Sequence, residues 1–263
     1  MKVLVPVTDA ATVDDEFEVD GLRVDERYLT HDINEWDEYA VEEAVQLAEA
    51  GEDVEVVTAT VGPERVEETI RQALAKGADR AVRVWDDAIA EQTLLDARTK
   101  ATLLEAVARE EDPDLVLTGV QSGDAGFAGT GVTLAERLGF QWAAVVNNLD
   151  LDAGEGVVRV HRELEGGVEE LTEVTLPAVL TIQTGINDPR YASLRGIRQA
   201  QNKPLDVKGL ADLGLDESTL DSPLTWTSTS EPKSQSEARI FEGDAETTAG
   251  ELADVLAEME VGQ

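Results

Sequence analysis

The chain has no cysteine among its 263 residues, which removes disulfides, thiolate metal centres and a cysteine nucleophile together. Histidine is nearly as scarce. His31 and His161 stand far apart in sequence and suggest neither a histidine metal cluster nor an acid–base pair. Long hydrophobic runs are missing too: no apolar stretch approaches the ~20 residues that span a bilayer. Met1-Lys2 leads straight into a strand rather than into a signal peptide, so the expectation is a cytoplasmic protein without membrane insertion. Basic residues are few, 21 against 56 acidic, for a net charge of −35 and a pI near 4.1. Such a chain repels phosphate backbones, which argues against nucleic acid as a partner.

What is present is a globular composition, 42% hydrophobic, long enough for one large core or two small ones. The acids are spread along the whole chain, as in Asp14-Asp15-Glu16, Glu67-Glu68 and Glu110-Glu111. An interaction tail would concentrate them. Spread charge suits a salt-rich cytoplasm, where the Debye length falls to ~3 Å at about 1 M and self-repulsion is screened. A halophilic archaeal source is therefore expected.

Periodicity predicts strands at Lys2–Val7, Asp53–Thr60, Arg80–Trp85 and Asp114–Thr118. Helices alternate with them: one from Trp36 to a stop at Gly51, one from Gly62-Pro63 to Gly77, and a long one over 92–111. Asp20-Gly21 marks a small hairpin between 17–19 and 22–24. This βα alternation predicts an α/β fold with a doubly wound, mostly parallel sheet. Beyond Val146 the pattern changes. Val157–Leu164 and Val168–Thr175 flank Glu165-Gly166-Gly167 as an added antiparallel hairpin, and Ala178–Gln183 is a further strand. From Asp206 to Arg239 the chain is rich in Ser, Thr, Pro and Asp and reads as an extended C-terminal arm. The terminal helix Ala245–Met259 has Leu252, Val255 and Leu256 on one face and no core of its own. The expected division is therefore a nucleotide-binding α/β domain over 1–205 and an arm with its helix over 206–263, docking on a partner.

Two segments carry the functional signal. The first is Gly119-Val120-Gln121-Ser122-Gly123-Asp124, continuing through Gly126 and Gly129 to Thr130 and Gly131. It leaves a strand and enters the helix at 132–138, where free amides favour a phosphate. It lacks the Gly-Lys-Ser/Thr of a P-loop and is not a clean GxGxxG. On spacing alone it reads equally as a phosphate cradle or as a glycine-rich turn with Asp124 capping.

The second is 176–205, LPAVLTIQTGINDPRYASLRGIRQAQNKPL. From Arg190 to Lys208 it sets five bases, Arg190, Arg195, Arg198, Lys203 and Lys208, against the single acid Asp206, a local +4 in a chain of −35. Leu194 and Ile197 share a helix face beside Arg195 and Arg198. An exposed leucine ringed by bases suits an acid-rimmed apolar pocket, and the bland alternative is a helix packed on its own acidic body.

This segment resembles the recognition loop of the electron transfer flavoprotein beta subunit. The shared features are Leu176-Pro177-Ala178-Val179, the Asn187-Asp188-Pro189-Arg190-Tyr191 turn and the short basic helix that follows. The resemblance extends over almost the whole chain. It implies an adenine nucleotide α-hydrolase-like fold with no catalytic constellation of its own. The implied partner is an alpha subunit that holds most of the redox FAD. It also implies a bound adenine nucleotide, AMP in most members or a second FAD in bifurcating ones. The implied nucleotide positions are Pro6, Val7, Asn34, Asp37, Val61, Gly119, Gln121, Asp124, Gly129 and Thr130. The implied docking residues are Arg190, Tyr191, Leu194, Arg195, Ile197, Arg198 and Lys203, in a recognition loop over 184–203. Donors would be acyl-CoA and related dehydrogenases, and the acceptor a quinone oxidoreductase. Arg162 and Glu163, on the hairpin ahead of the loop, are candidates for pairing across an interface, against the plainer reading of a solvated edge.

The chain departs from the family pattern at Thr8, where a lysine is common, at Ala128-Gly129, and at Val132 after Gly131. The last departure favours AMP over FAD. A second resemblance, to the universal stress type of ATP-binding module, rests on the spacing of Gly126, Gly129 and Gly139. There Phe140 replaces the expected hydroxyl residue.

Overall fold

The computed structural model describes residues 1–50, 53–231 and 239–258. Gly51 and Met259, expected at helix ends, lie outside the described residues. The chain enters through β1 (Lys2–Pro6). A flap follows, made of β2 (Asp9–Val13), the short strands β3 (Val19–Asp20) and β4 (Arg23–Val24), and β5 (Leu29–Ile33). Within it β2 pairs antiparallel with β5, and β3 with β4. Gly21, at φ +63, begins the β3–β4 turn, one residue later than the sequence suggests.

Next come α1 (Glu35–Glu49), β6 (Glu55–Val61), α2 (Glu67–Lys76) and β7 (Arg80–Val84). The helix expected over 92–111 begins five residues later, as α4 (Ala97–Glu111), and is preceded by a short α3 (Asp87–Ala90) not expected from the sequence. Asp96 sets the start of α4: its Oδ1 accepts the Thr99 amide at 2.7 Å, as an N-cap does. Then follow β8 (Leu115–Gly119), α5 (Thr130–Leu138) and β9 (Gln141–Val146). The expected hairpin is β11 (Val157–Leu164) with β12 (Val168–Thr175), joined on its outer side by β10 (Asn148–Asp152). Gly166 and Gly167, both at positive φ, turn the chain between β11 and β12. The unit continues with β13 (Ala178–Ile182), α6 (Leu194–Ala200) and β14 (Leu205–Lys208).

The central sheet has seven strands in the order β14-β7-β6-β1-β8-β13-β9, every neighbouring pair parallel. Alternation along β1 shows why it is covered on both faces. Val3 and Val5 face α1 and α2, packing with Ala40, Val41, Ile70 and Leu74. Leu4, between them, faces α4 and α5 with Leu103, Leu104 and Leu134. The chain winds outward from β1 through β6 and β7, then restarts beside β1 with β8. The switch point of this doubly wound sheet therefore lies between the carboxyl ends of β1 and β8.

The arm expected from Asp206 begins instead as a sheet strand. β14 pairs with β7 from Leu205↔Ala81 to Lys208↔Val84. Leu210 and Leu220 are buried in the α4–α5 layer, and the Ser222 hydroxyl donates to Asp96 Oδ2 at 2.6 Å. Apolar anchors at Leu210 and Leu220 outweigh the polar composition around them. The first compact unit accordingly runs to Thr229, and Ser230–Gln263 forms a second. In that second unit α7 (Ala245–Glu258) buries no residue, and Leu252 and Leu256 are exposed.

Candidate functional site

A cleft opens at the switch point. Nine of the ten expected nucleotide residues line it: Pro6 and Val7 at the end of β1, Asn34 and Asp37 at the start of α1, Val61 at the end of β6, and Gly119, Gln121, Gly129 and Thr130 from the end of β8 to the start of α5. The tenth, Asp124, does not. It faces a neighbouring groove of about 940 Å³ beneath the flap. Its carboxylate accepts the amides of Ala11 at 3.3 Å and Ala125 at 2.7 Å, so Asp124 ties the loop to β2. Measured the same way as that groove, the cleft itself is about 70 Å³.

Two α1 residues hold the mouth open. Asn34 is buried, its Nδ2 donating to the Gln121 carbonyl at 2.8 Å and its Oδ1 accepting the Gly123 amide at 3.3 Å. Asp37 accepts the Thr8 amide at 2.7 Å and the Gly119 amide at 3.1 Å, one on each oxygen. It thereby clamps the ends of β1 and β8 at the switch point. Burial pushes its carboxyl up to about 6, against the downward pull of those amides. Asn34 and Asp37 therefore spend their polar atoms on the protein and shape the cleft rather than face into it.

Gly119 is required by close approach: a Cβ there would stand 2.5 Å from Asp37 Oδ1 and 2.6 Å from the Trp36 Cβ. Gly131, likewise, packs α5 against the Thr118 and Thr181 side chains. Gly139 ends α5 at φ +72, and Phe140 packs in the core. The third glycine of the stress-protein spacing is thus a helix stop.

Sequence reasoning missed Lys100 and Leu104, which enter the cleft from α4. No local motif marks them, because their reach depends on how α4 packs across the sheet. Thr8, Ser122, Phe127 and Ala128 also line the cleft. Ala128 sits at φ +49, an uncommon conformation for a residue with a Cβ.

The basic loop divides into fasteners and a presented face. Arg190 forks onto Glu42 (Nε–Oε2 2.8 Å, Nη2–Oε1 3.0 Å) and onto Glu49 (2.6 and 2.8 Å). Asn187 Nδ2 donates to the Tyr39 carbonyl at 3.1 Å and to Glu43 at 2.8 Å. Burial pushes Glu42 up, but the Arg190 and Gln46 bonds outweigh it and hold the carboxyl below its usual range. Lys203 donates to the carbonyls of Leu74 at 3.0 Å and Ala78 at 2.5 Å at the end of α2. Arg71 of α2 returns the favour, donating to the Ala200 and Lys203 carbonyls at 2.7 and 2.9 Å. Arg71 thus caps the carboxyl end of α6, and Lys203, three residues beyond α6, caps that of α2. A methyl on Gly196 would collide with the Ala75 carbonyl oxygen, so α6 lies directly against α2.

Arg190 and Lys203 are therefore bound into the body. The middle of the loop is presented: Tyr191 is 98% and Leu194 78% exposed, with Ile197, Arg195 and Arg198 also exposed. Ser193 caps the helix by accepting the Gly196 amide at 3.0 Å. On the β11–β12 hairpin, Arg162 stands 3.4 Å from Glu170 and His161 3.3 Å from Glu169.

Among the described residues no group of His, Asp or Glu is placed to hold a metal ion. No described helix is long and apolar enough to cross a membrane.

A parallel doubly wound domain with a cleft at its switch point and a basic helix on its side defines the chain as an α/β protein of the open-sheet class. A family model, the electron transfer flavoprotein domain, matches residues 21–213. The electron transfer flavoprotein subunit beta of Methylophilus methylotrophus is 50% identical over 218 residues, 82% of this chain and 81% of that protein. The corresponding subunits of Bradyrhizobium diazoefficiens (38% over 218 residues, 82% and 84%) and Sus scrofa (39% over 204 residues, 78% and 77%) are similar as well. The chain belongs to the electron transfer flavoprotein family and is a beta subunit.

Proposed function

We propose that this chain pairs with an alpha subunit into an electron carrier, holds AMP in the switch-point cleft, and docks electron-donating dehydrogenases through the middle of its basic loop. The observation that carries the docking role is α6. Its apolar residues Leu194 and Ile197 stand in solvent beside Arg195 and Arg198, on a helix fastened to the body at both ends. A rigid apolar anchor ringed by charge loses little freedom on binding.

The cleft's chemistry fits an adenine nucleotide. Its glycine-rich loop lets backbone approach a phosphate, α5 opens there with first-turn amides free of helical partners, and the Thr130 hydroxyl lies on the wall. Val132 after Gly131 favours AMP over a second FAD. The redox FAD, held mainly by the alpha subunit, supplies the electron chemistry when bound. This chain's residues position, shield and dock. Acyl-CoA and related dehydrogenases are the proposed donors and a quinone oxidoreductase the acceptor. The unburied α7 helix, with its exposed Leu252 and Leu256, is proposed to dock on the alpha subunit. The dispersed acidity is read as adaptation to concentrated salt in a cytoplasm.

Co-expression with an electron transfer flavoprotein alpha subunit, followed by acid extraction and chromatography, tests the reading. The expected product is a yellow one-to-one heterodimer carrying one FAD and one AMP. A colourless monomer that ignores the alpha subunit overturns it. Two FAD per heterodimer overturns the choice of AMP.

A further inference from the structure

We propose that Lys100 is the phosphate-binding cation of the switch-point cleft, so that the site selects an adenylate over its uncharged nucleoside. This rests on the reading of the cleft as an adenine-nucleotide site. Ala97, Lys100 and Leu104 lie at i, i+3 and i+7 on one face of α4. Leu104 supplies an apolar part of the cleft wall. At the other end of that face, a Cβ built on Gly129 would stand 3.6 Å from the Ala97 Cβ. Lys100 is thereby carried to the part of the wall where Gly129 and Thr130 open α5.

Charge points the same way. Among the described residues, Lys100 is the only basic residue on the cleft wall and Asp37 the only acidic one. Both Asp37 oxygens are already occupied by the Thr8 and Gly119 amides. The chain holds 56 acids to 21 bases, and most of its bases are paired with a carboxylate, as Lys2, Lys76, Arg80, Arg137 and Lys208 are. The Lys100 side chain is half-buried, and its ammonium has no ion pair or hydrogen-bond partner among the described residues. An anion between Lys100 and the α5 amides would supply the ammonium with a partner. The chain has Thr8 after its first strand, and Lys100 brings the positive charge from the opposite layer instead.

The test uses the heterodimer stripped of nucleotide, with AMP and adenosine as probes in calorimetry at one fixed salt concentration. Lys100→Met keeps the length of the side chain and removes the charge. AMP affinity should fall about tenfold to a hundredfold, the span of a hydrogen bond to a charged group, while adenosine affinity stays within about twofold. Lys100→Arg should restore most of the AMP preference. If Lys100→Met weakens AMP and adenosine alike, or neither, Lys100 is not the phosphate cation. If the wild type binds neither probe, the nucleotide reading itself fails and the proposal falls with it. Should Lys100→Met not fold, Lys100→Gln gives the same comparison.

Discussion

The cleft loop at 119–130 and the basic loop at 184–203 are both held by α1 and its N-cap. They are held by opposite means. The cleft loop rests on Asn34 and Asp37, whose partners are backbone amides and one carbonyl. The basic loop rests on a charged fork from Arg190 to Glu42 and Glu49 and on the exchange of caps between Arg71 and Lys203. One carboxyl of α1 is thus pushed up by burial without a cation, and another a turn and a half later is drawn down by an arginine. A charged residue in the sequence does not announce which of these it will become. The fastening bases sit at the ends of the basic loop and the free ones in its middle.

The largest expected effect breaks the charged fastening. Arg190→Ala leaves the buried side chain of Glu42 with Gln46 as its remaining side-chain donor, at a cost of about 2–4 kcal/mol. Denaturant midpoints should report it, and amide exchange should rise across 187–200 while the β8–α5 loop stays protected. Equal loss of protection in both loops would erase the distinction between them. Gly119→Ala attacks the other loop. Its methyl meets Asp37 and Trp36, and overpacking of this kind costs about 1–3 kcal/mol, read as a lower denaturant midpoint together with weaker AMP binding. Unchanged stability would show that the Trp36–Gly119 contact relaxes easily.

The two carboxyls give the comparison a pH axis. Asp37 titrates near 6 folded and near its ordinary 3.8 unfolded. Its contribution to stability is present below the unfolded value and is lost as pH rises through 6. Glu42 and Glu49, held low by Arg190, contribute the other way, and their share is lost as pH falls below the ordinary carboxylate range. The stability of Asp37→Asn relative to wild type should therefore improve by about 2–3 kcal/mol between pH 4 and pH 7. A difference flat in pH would show that folding leaves the proton affinity of Asp37 unchanged. Arg195→Glu should leave stability within about 0.5 kcal/mol and slow association with a dehydrogenase at low salt, an effect that concentrated salt mutes. Stopped-flow mixing at two salt concentrations checks it, and a rate blind to both charge and salt would count against electrostatic docking.

Legibility in the sequence followed the range of the forces involved. The β11–β12 hairpin was readable to its end residues, because alternation and the Gly166-Gly167 turn are local. The parallel sheet was readable from βα alternation, whereas the nine cleft residues came from the family resemblance and not from spacing. β14 was not, since Leu205-Asp206-Val207-Lys208 is four residues long in a polar stretch and is a strand only because β7 offers an edge. Asp96 looked like part of a helix until its cap to Thr99 ended one reading and began another. Asp124 left the cleft because the flap, far back in sequence, supplies the Ala11 amide. Lys100 and the division of the basic loop were invisible for the same reason, since each depends on which helix lies across from it.

The most direct measurement is electron transfer from an acyl-CoA dehydrogenase to the heterodimer carrying Leu194→Ala. Burying one leucine in a partner's pocket is worth about 1–3 kcal/mol. Transfer should slow by roughly tenfold or more, with flavin content and melting temperature unchanged, because Leu194 is 78% exposed in the free chain. Wild-type transfer in a variant that melts earlier would make Leu194 a structural residue and end the case for α6 as a docking surface.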